Sequence, residues 1–107
     1  MQNYWWGGDF KTDVNAIEYD KFYVLGFLYN SSNSSRKIYI NGFAEEETIA
    51  YSRNSTATNN TIAKTHDTVS TLEGYMSELI IFDRALTDEE RKSVEKYLGK
   101  KWAISVS

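Results

Sequence analysis

The sequence predicts a mostly β domain that ends in one short helix. Three observations predict it: two apolar runs of strand length at residues 22–29 and 74–83, an Asn-Gly pair between alternating residues, and a helix-starting motif at residues 87–90. The chain has 107 residues, of which 41% are hydrophobic, which is enough for one folded core. We therefore expect residues 1–107 to belong to a single domain.

The N-terminal third is expected to form short strands and then a longer one. Gly7-Gly8 indicates a turn, with a short strand on either side of it within residues 1–15. Residues 22–29 are apolar at both alternating positions, which is typical of a strand covered on both faces. Gly26 inside this run indicates a bulge or a close backbone approach.

The centre of the chain predicts a β-hairpin. Asn41-Gly42 favours the two positive φ angles of a tight type I′ turn and joins strands at residues 36–40 and 43–51. Glutamates at 45–47 are expected on the solvent side of the second strand, where charge discourages edge-to-edge pairing. Alternation assigns two side chains of the first strand to one face and one to the other: Ile38 and Ile40, and Tyr39.

The C-terminal part predicts strands and then the helix. Residues 61–63 are expected to form a short strand and residues 74–83 a strong one. Thr87 and Glu90 have the spacing of a capping box, in which each side chain bonds the other's backbone amide. Gly99 is a natural C-terminal cap, although a further turn can follow it. Apolar side chains at a spacing of four predict the face that packs on the sheet: Val94, Leu98 and Trp102, widened by Tyr97.

Composition excludes several classes of protein. The net charge is −3 and no segment carries a basic stripe, so a nucleic-acid partner is not expected. No apolar stretch reaches the roughly 20 residues of a membrane span, and residues 1–10 lack the pattern of a signal peptide. The chain has no Cys, which excludes disulfides, thiol catalysis and thiolate metal sites.

Three segments together resemble the laminin-G-like, concanavalin A-like lectin/glucanase superfamily. They are Ile38-Tyr-Ile-Asn-Gly42, residues 72–91 (LEGYMSELIIFDRALTDEER) and residues 94–102 (VEKYLGKKW). The similarity covers residues 21–104 and corresponds to the C-terminal half of such a domain. It implies an antiparallel β-sandwich, a jelly roll of about eight strands, whereas this chain predicts five or six. The chain is therefore a fragment, a compact variant, or a domain that another protein chain completes.

The residues do not support catalysis of the type found in related glucanases. Those enzymes carry a Glu-x-Asp-x-x-Glu strand whose two carboxylates act as nucleophile and acid. The nearest match starts at Glu18 and has Tyr23 in place of the last Glu, so we expect no catalytic residue and no enzyme. His66, the single His, is expected in a solvated loop.

Metal and ion-pair candidates are few. The resemblance allows calcium bound by loop oxygens, with Asp67, Asn59 and Asn60 as conceivable ligands, but there is no dense Asp pattern and we expect no cofactor. Glu78 is expected to have a structural role, paired with Arg84 or Arg91.

Carbohydrate binding remains the leading interpretation. Five aromatic residues are candidates for stacking on a sugar: Trp5, Trp6, Tyr39, Tyr51 and Tyr75. Adjacent Trp5 and Trp6 point to opposite faces of an extended chain, so one of them is expected at the surface or an interface.

We expect a non-catalytic carbohydrate-binding or adhesion module, located outside the cell or on a virion surface. Its partner would be a glycan or cell-surface polysaccharide. The alternative is a structural protein of a virion, a capsid or tail decoration, that uses the same fold to assemble with other chains.

Overall fold

A computed structural model describes residues 2–3, 10–49, 61–63 and 71–107. These residues form a three-stranded antiparallel sheet, a separate two-stranded pair and one helix. The predicted mostly β class with a C-terminal helix is therefore confirmed, whereas a second sheet that would complete a sandwich is not seen among the described residues. The elements, in chain order, are β1 (Gln2–Asn3), β2 (Phe10–Lys11), β3 (Leu25–Asn30), β4 (Ser35–Ile40), β5 (Phe43–Ile49) and α1 (Asp88–Trp102).

The two shortest strands lie on either side of the glycine pair. β1 and β2 pair antiparallel, with Gln2 opposite Lys11 and Asn3 opposite Phe10. The prediction of a strand before and after Gly7-Gly8 is thus confirmed, while the turn itself lies outside the described residues.

The predicted hairpin joins β4 and β5. Asn41 has a φ of 50° and Gly42 a φ of 90°, the positive pair that a type I′ turn requires. The side-chain oxygen of Asn41 also accepts a hydrogen bond from the Val24 backbone amide at 2.9 Å. The backbone amide of Asn41 donates to the Val24 carbonyl at 2.9 Å. The turn therefore connects the hairpin to the chain entering β3.

β4 is the central strand of the sheet, and its two faces differ. Ile38 and Ile40 are buried on one face, where Ala16 and Tyr23 pack against them. Tyr39 is buried on the opposite face, as alternation predicts. Between Ile38 and Tyr39 the register with β5 shifts by one residue, which leaves a β-bulge in β5.

β3 is shorter and more exposed than the sequence predicts. It begins at Leu25 rather than at residue 22, and Leu25 and Phe27 are exposed, so the predicted cover on both faces was wrong. Gly26 lies in register opposite Tyr39 without a bulge. A Cβ at this position would lie 3.4 Å from the Glu95 Oε1 atom, which is ordinary van der Waals contact, so Gly26 lies next to a helix side chain.

The two C-terminal strand predictions were wrong. Residues 61–63 contain bends, and Ala63 has a φ of 63°, which interrupts an extended strand. Residues 75–82 run without a turn or bend, yet they belong to no sheet. The physical reason is that a strand is defined by pairing, and no described residue supplies the ladder hydrogen bonds that this segment would need.

The helix begins as predicted and ends later than its glycine. The Thr87 hydroxyl accepts from the Glu90 amide at 3.3 Å, and the Glu90 carboxylate accepts from the Thr87 amide at 2.9 Å, which confirms the capping box. Gly99 is not the cap, because α1 continues to Trp102 and Ala103 takes the left-handed conformation at its end. The carbonyl of Gly99 instead accepts from the Ile104 amide, so the chain turns back along the helix.

Candidate functional site

The buried face of α1 carries charge. Arg91, Glu95 and Gly99 are its buried residues, whereas Trp102 and Tyr97 of the predicted apolar stripe are exposed. Val94 and Leu98 are half-buried, so the buried face is shifted by one position along the helix from the predicted one. The sheet explains the difference, because it presents the aromatic ring of Tyr39, over which the Arg91 guanidinium packs.

A cation–π contact joins the helix to the sheet. The guanidinium carbon of Arg91 lies 3.9 Å from the centre of the Tyr39 ring, and Arg91 Nη1 donates to the Glu95 carboxylate. Burial raises the pKa of the Tyr39 hydroxyl. Tyr39, Arg91 and Glu95 thus form a buried polar contact that positions α1 on the sheet.

Two further contacts attach residues 72–86, the segment that precedes α1, to the helix. Glu78 accepts from Trp102 Nε1 at 2.9 Å and forms an ion pair with Lys101 Nζ at 3.0 Å. Arg84 makes two parallel bonds to Glu90, of 2.7 and 2.8 Å. Glu78 therefore has a structural role, but its partners are Trp102 and Lys101 and not the arginines that the sequence suggested.

The carboxylates of Glu90 and Glu78 both have a pKa below the usual range of a glutamate. The Arg84 guanidinium, followed by the Thr87 amide, lowers the pKa of Glu90 to about 2. The indole of Trp102 and then the ammonium group of Lys101 lower the pKa of Glu78. Both carboxylates are therefore ionised at neutral pH and hold the segment in place.

The segment fixed in this way is covered with exposed apolar side chains. Tyr75 is 89% exposed and Ile81 is 81% exposed, although both belong to a run that is apolar enough for a protein core. The others in the segment are also exposed: Leu72, Met76, Leu79, Ile80 and Phe82. Contiguous exposed apolar side chains mark interaction surfaces in soluble proteins.

A shallow surface depression lies beside this segment. It has a volume of about 480 Å³. Its lining contains both apolar and polar side chains. It is lined by Phe82, Arg84, Leu86, Glu89, Glu90, Ser93 and Val94.

The five predicted stacking residues have different positions in the structure. Trp5, Trp6 and Tyr51 lie outside the described residues. Tyr39 is only 4% exposed and its ring is covered by Arg91, so it offers no face to a sugar, which corrects that assignment. Tyr75 is exposed and accessible. The described part of the chain therefore brings none of the five together.

The nearest match to the glucanase motif, at Glu18, lies within the described residues, whereas the candidate metal ligands do not. Glu18 lies in an exposed turn and bonds Lys21 Nζ at 2.7 Å. The conceivable calcium ligands Asp67, Asn59 and Asn60, and His66, lie outside the described residues. Within the described ranges no three acidic or histidine side chains are grouped closely enough to hold a metal ion. In the same part of the chain, no helix has the length and apolar character needed to cross a membrane.

Sequence reasoning missed the buried Arg91–Glu95 pair. Opposite charges four residues apart on a helix are a visible signal, but they normally indicate a solvated helix face. Only the position of Tyr39 beside Gly26 on the neighbouring strand places this pair in the interior, and no local pattern contains that information.

Residues 2–90 match the laminin G type of the "Concanavalin A-like lectin/glucanases superfamily". The chain belongs to this superfamily. The resemblance seen in the hairpin and the capped helix is thereby confirmed, and the three-stranded sheet with its appended helix is the part of the concanavalin A-like fold that the described residues form.

A solved structure with the same fold is similar to this concanavalin A-like chain. It is the crystal structure of an S-layer domain-containing protein (residues 221–444) from Clostridium thermocellum ATCC 27405. The TM-score is 0.65 and the sequence identity 24% over 77% of this chain. This chain spans 42% of the length of that one. No protein with a curated description matches the sequence.

Proposed function

We propose that the chain is a non-catalytic carbohydrate-binding or adhesion module that acts outside the cell. The observation that carries the proposal is Tyr75, an aromatic ring 89% exposed on a domain of a lectin-like superfamily. A sugar's C–H face packs on such a ring, while nearby polar groups bond its hydroxyls. The similar S-layer domain-containing protein supports an extracellular location.

In this proposal residues 1–107 act as one concanavalin A-like unit, and the ligand is a glycan or a cell-surface polysaccharide. Tyr75 stacks on the sugar together with Trp5, Trp6 and Tyr51. No calcium ion is required for binding, so a chelator leaves the affinity unchanged.

A glycan array followed by a matched pair of variants tests the proposal. We expect at least one glycan to bind, and Tyr75→Ala to weaken that binding about tenfold, which corresponds to about 1.4 kcal/mol. Tyr19→Ala is the control, because Tyr19 is 97% exposed and lies in a different part of the chain. Trp5→Ala and Trp6→Ala are expected to weaken binding as well. An array without any bound glycan would contradict the proposal.

The proposed absence of catalysis has its own test. We expect no hydrolysis of β-glucan by the purified chain. Hydrolysis of β-glucan that is lost in the Glu18→Gln variant would show that the chain is an enzyme.

An assembly role is the second candidate, favoured by the exposed apolar segment around Ile81. In this case the chain is a structural protein, for example a virion decoration, and packs against neighbouring chains. A stable oligomer in light scattering, together with a glycan array that shows no binding, would favour this role over the first.

A further inference from the structure

Residues 75–82 run as an extended segment that pairs with no strand among the described residues. They contain no turn, no bend and no positive φ angle. Among the described residues, no backbone hydrogen bond involves residues 73–86, although the Leu72 amide just before them bonds the Ala63 carbonyl. A row of free amide and carbonyl groups on an extended chain is a template for pairing with another strand.

The helix holds this segment in place through side chains alone. Glu78 is bound by Trp102 and Lys101 near the middle, and Arg84 is bound by Glu90 just beyond the end. These contacts leave the backbone groups unused. A strand that pairs with residues 75–82 therefore binds a segment whose conformation is already fixed by these contacts. This reduces the conformational entropy that is lost on binding.

The side chains of the segment define the kind of partner that fits. Tyr75, Leu79 and Ile81 are exposed on one side, and Met76 and Phe82 are exposed on the other. A glycan does not supply a regular row of amide and carbonyl groups, and a helix uses its own internally. An extended polypeptide with apolar side chains satisfies both the backbone and the apolar surface.

Charge at the ends of the segment further restricts which partner strand can pair with it. Glu73 and Asp83 flank it, and residues 71–83 contain no Lys or Arg. If two copies paired antiparallel about Glu78, Glu73 would lie opposite Asp83 and Glu78 opposite its own copy. Like charges directly opposite each other destabilise a strand pair. The segment therefore favours a partner strand with basic ends over a second copy of itself.

We propose that residues 75–82 accept a β-strand from a partner polypeptide, one that is apolar at alternate positions and basic at both ends. This β-augmentation extends the part of the sandwich that the chain forms. The proposal does not depend on glycan binding.

A synthetic peptide of defined sequence tests the proposal. The probe is Lys-Val-Thr-Val-Thr-Val-Thr-Val-Lys with a fluorescent label, and its binding to the full chain is followed by anisotropy. One control peptide has alternate amides N-methylated, which removes the donors along one edge, and another has Glu in place of both Lys residues. We expect each control to bind about tenfold more weakly or worse. Binding should also slow hydrogen exchange at residues 75–82.

A pair of variants assigns the binding to this surface. Ile81→Lys adds charge to the segment and is expected to weaken peptide binding about tenfold. Val14→Lys places the same charge at an equally exposed position elsewhere and is expected to leave binding unchanged. The proposal is overturned if the probe binds no better than its N-methylated form. It is also overturned if light scattering shows a dimer in which residues 75–82 are already protected from exchange, because a second copy would then occupy the edge.

Discussion

Arg91 and Glu95 show how a single pair of residues connects the helix to the sheet. Both side chains are buried, Arg91 lies over the Tyr39 ring, and Glu95 Oε1 lies next to Gly26. Burying opposite charges costs hydration free energy, which their mutual attraction and the ring contact offset. Removing Glu95 leaves Arg91 buried with only a longer contact of 3.6 Å to the exposed Asp88 carboxylate.

We expect Glu95→Ala to lower the free energy of unfolding by about 3–5 kcal/mol, because Arg91 would lose its buried carboxylate. Chemical denaturation of purified variants measures this. Glu73→Ala is the control, since Glu73 is exposed and its loss is expected to change stability by less than about 0.5 kcal/mol. The double variant Arg91→Met with Glu95→Leu should recover most of the lost stability. If Glu95→Ala cost no more than the control, the pair would not anchor the helix.

Glu90 predicts a dependence of stability on pH. Its pKa is about 2 in the folded chain, mainly because of Arg84, and about 4.3 is usual for an unfolded chain. A carboxylate with a lowered folded pKa stabilises the fold fully above its unfolded pKa. That contribution is lost as the pH falls through the folded pKa. The melting temperature should therefore decrease between about pH 5 and pH 2.

Arg84→Met tests the assignment to Glu90. Without the guanidinium the pKa of Glu90 returns towards its usual value, so the decrease in melting temperature over this pH range should become smaller. Lys92→Met, which removes an exposed charge from the same helix, should leave the decrease unchanged. Equal pH profiles for the wild-type chain and Arg84→Met would contradict the assignment.

At the scale of elements, α1 has a sharp beginning and an end that depends on the chain following it. The capping box sets the beginning through contacts within three residues. The end is set where residues 104–107 fold back over Gly99 and reach the hairpin, with the Ser107 amide bonding the Asn41 carbonyl at 3.0 Å. The C-terminal residues thus connect α1 to the β4–β5 turn.

This packing reverses the usual effect of replacing a helical glycine. Gly→Ala inside a helix normally stabilises by about 1 kcal/mol. At Gly99 the new Cβ would lie 2.7 Å from the Ile104 carbonyl oxygen and 2.7 Å from Val106 Cγ2. We therefore expect Gly99→Ala to destabilise by about 1–3 kcal/mol, as overpacking does, measured by thermal or chemical denaturation.

Gly74→Ala is the matched control for Gly99→Ala. No atom lies within 4 Å of a Cβ built on Gly74, and its φ is not positive. The change should leave stability unaltered or raise it by about 0.4–1 kcal/mol. If Gly99→Ala instead raised the free energy of unfolding, residues 104–107 would not pack on the helix.

At the scale of the whole molecule, the described residues enclose a small core and leave a large apolar surface. The buried apolar residues among them are Val24, Ile38, Tyr39 and Ile40, and three of the four belong to β4. β4 also has a paired strand on each side. Stability should therefore be concentrated at this strand, with the exposed segment at residues 75–82 available for association.

Hydrogen exchange monitored by mass spectrometry or NMR checks this distribution. We expect the amides of β4 to exchange most slowly, because opening them requires the loss of two strand pairs and of the core. The turns at residues 12–20 should exchange much faster. Exchange at β4 as fast as in these turns would contradict the three-stranded sheet.

The sequence by itself determined the features that depend on neighbouring residues. The Asn41-Gly42 hairpin, the alternation of Ile38 and Tyr39 and the capping box at Thr87 were all predictable. Positive φ angles, strand alternation and capping bonds are decided within a few positions of the chain.

The tertiary structure decided which surfaces meet. The burial of Arg91 and Glu95, the role of Gly99, and the unpaired state of residues 75–82 depend on contacts between residues far apart in the chain. An apolar run such as residues 74–83 carries the propensity for a strand, but strand pairing is a property of two segments, and the partner lies outside any local pattern.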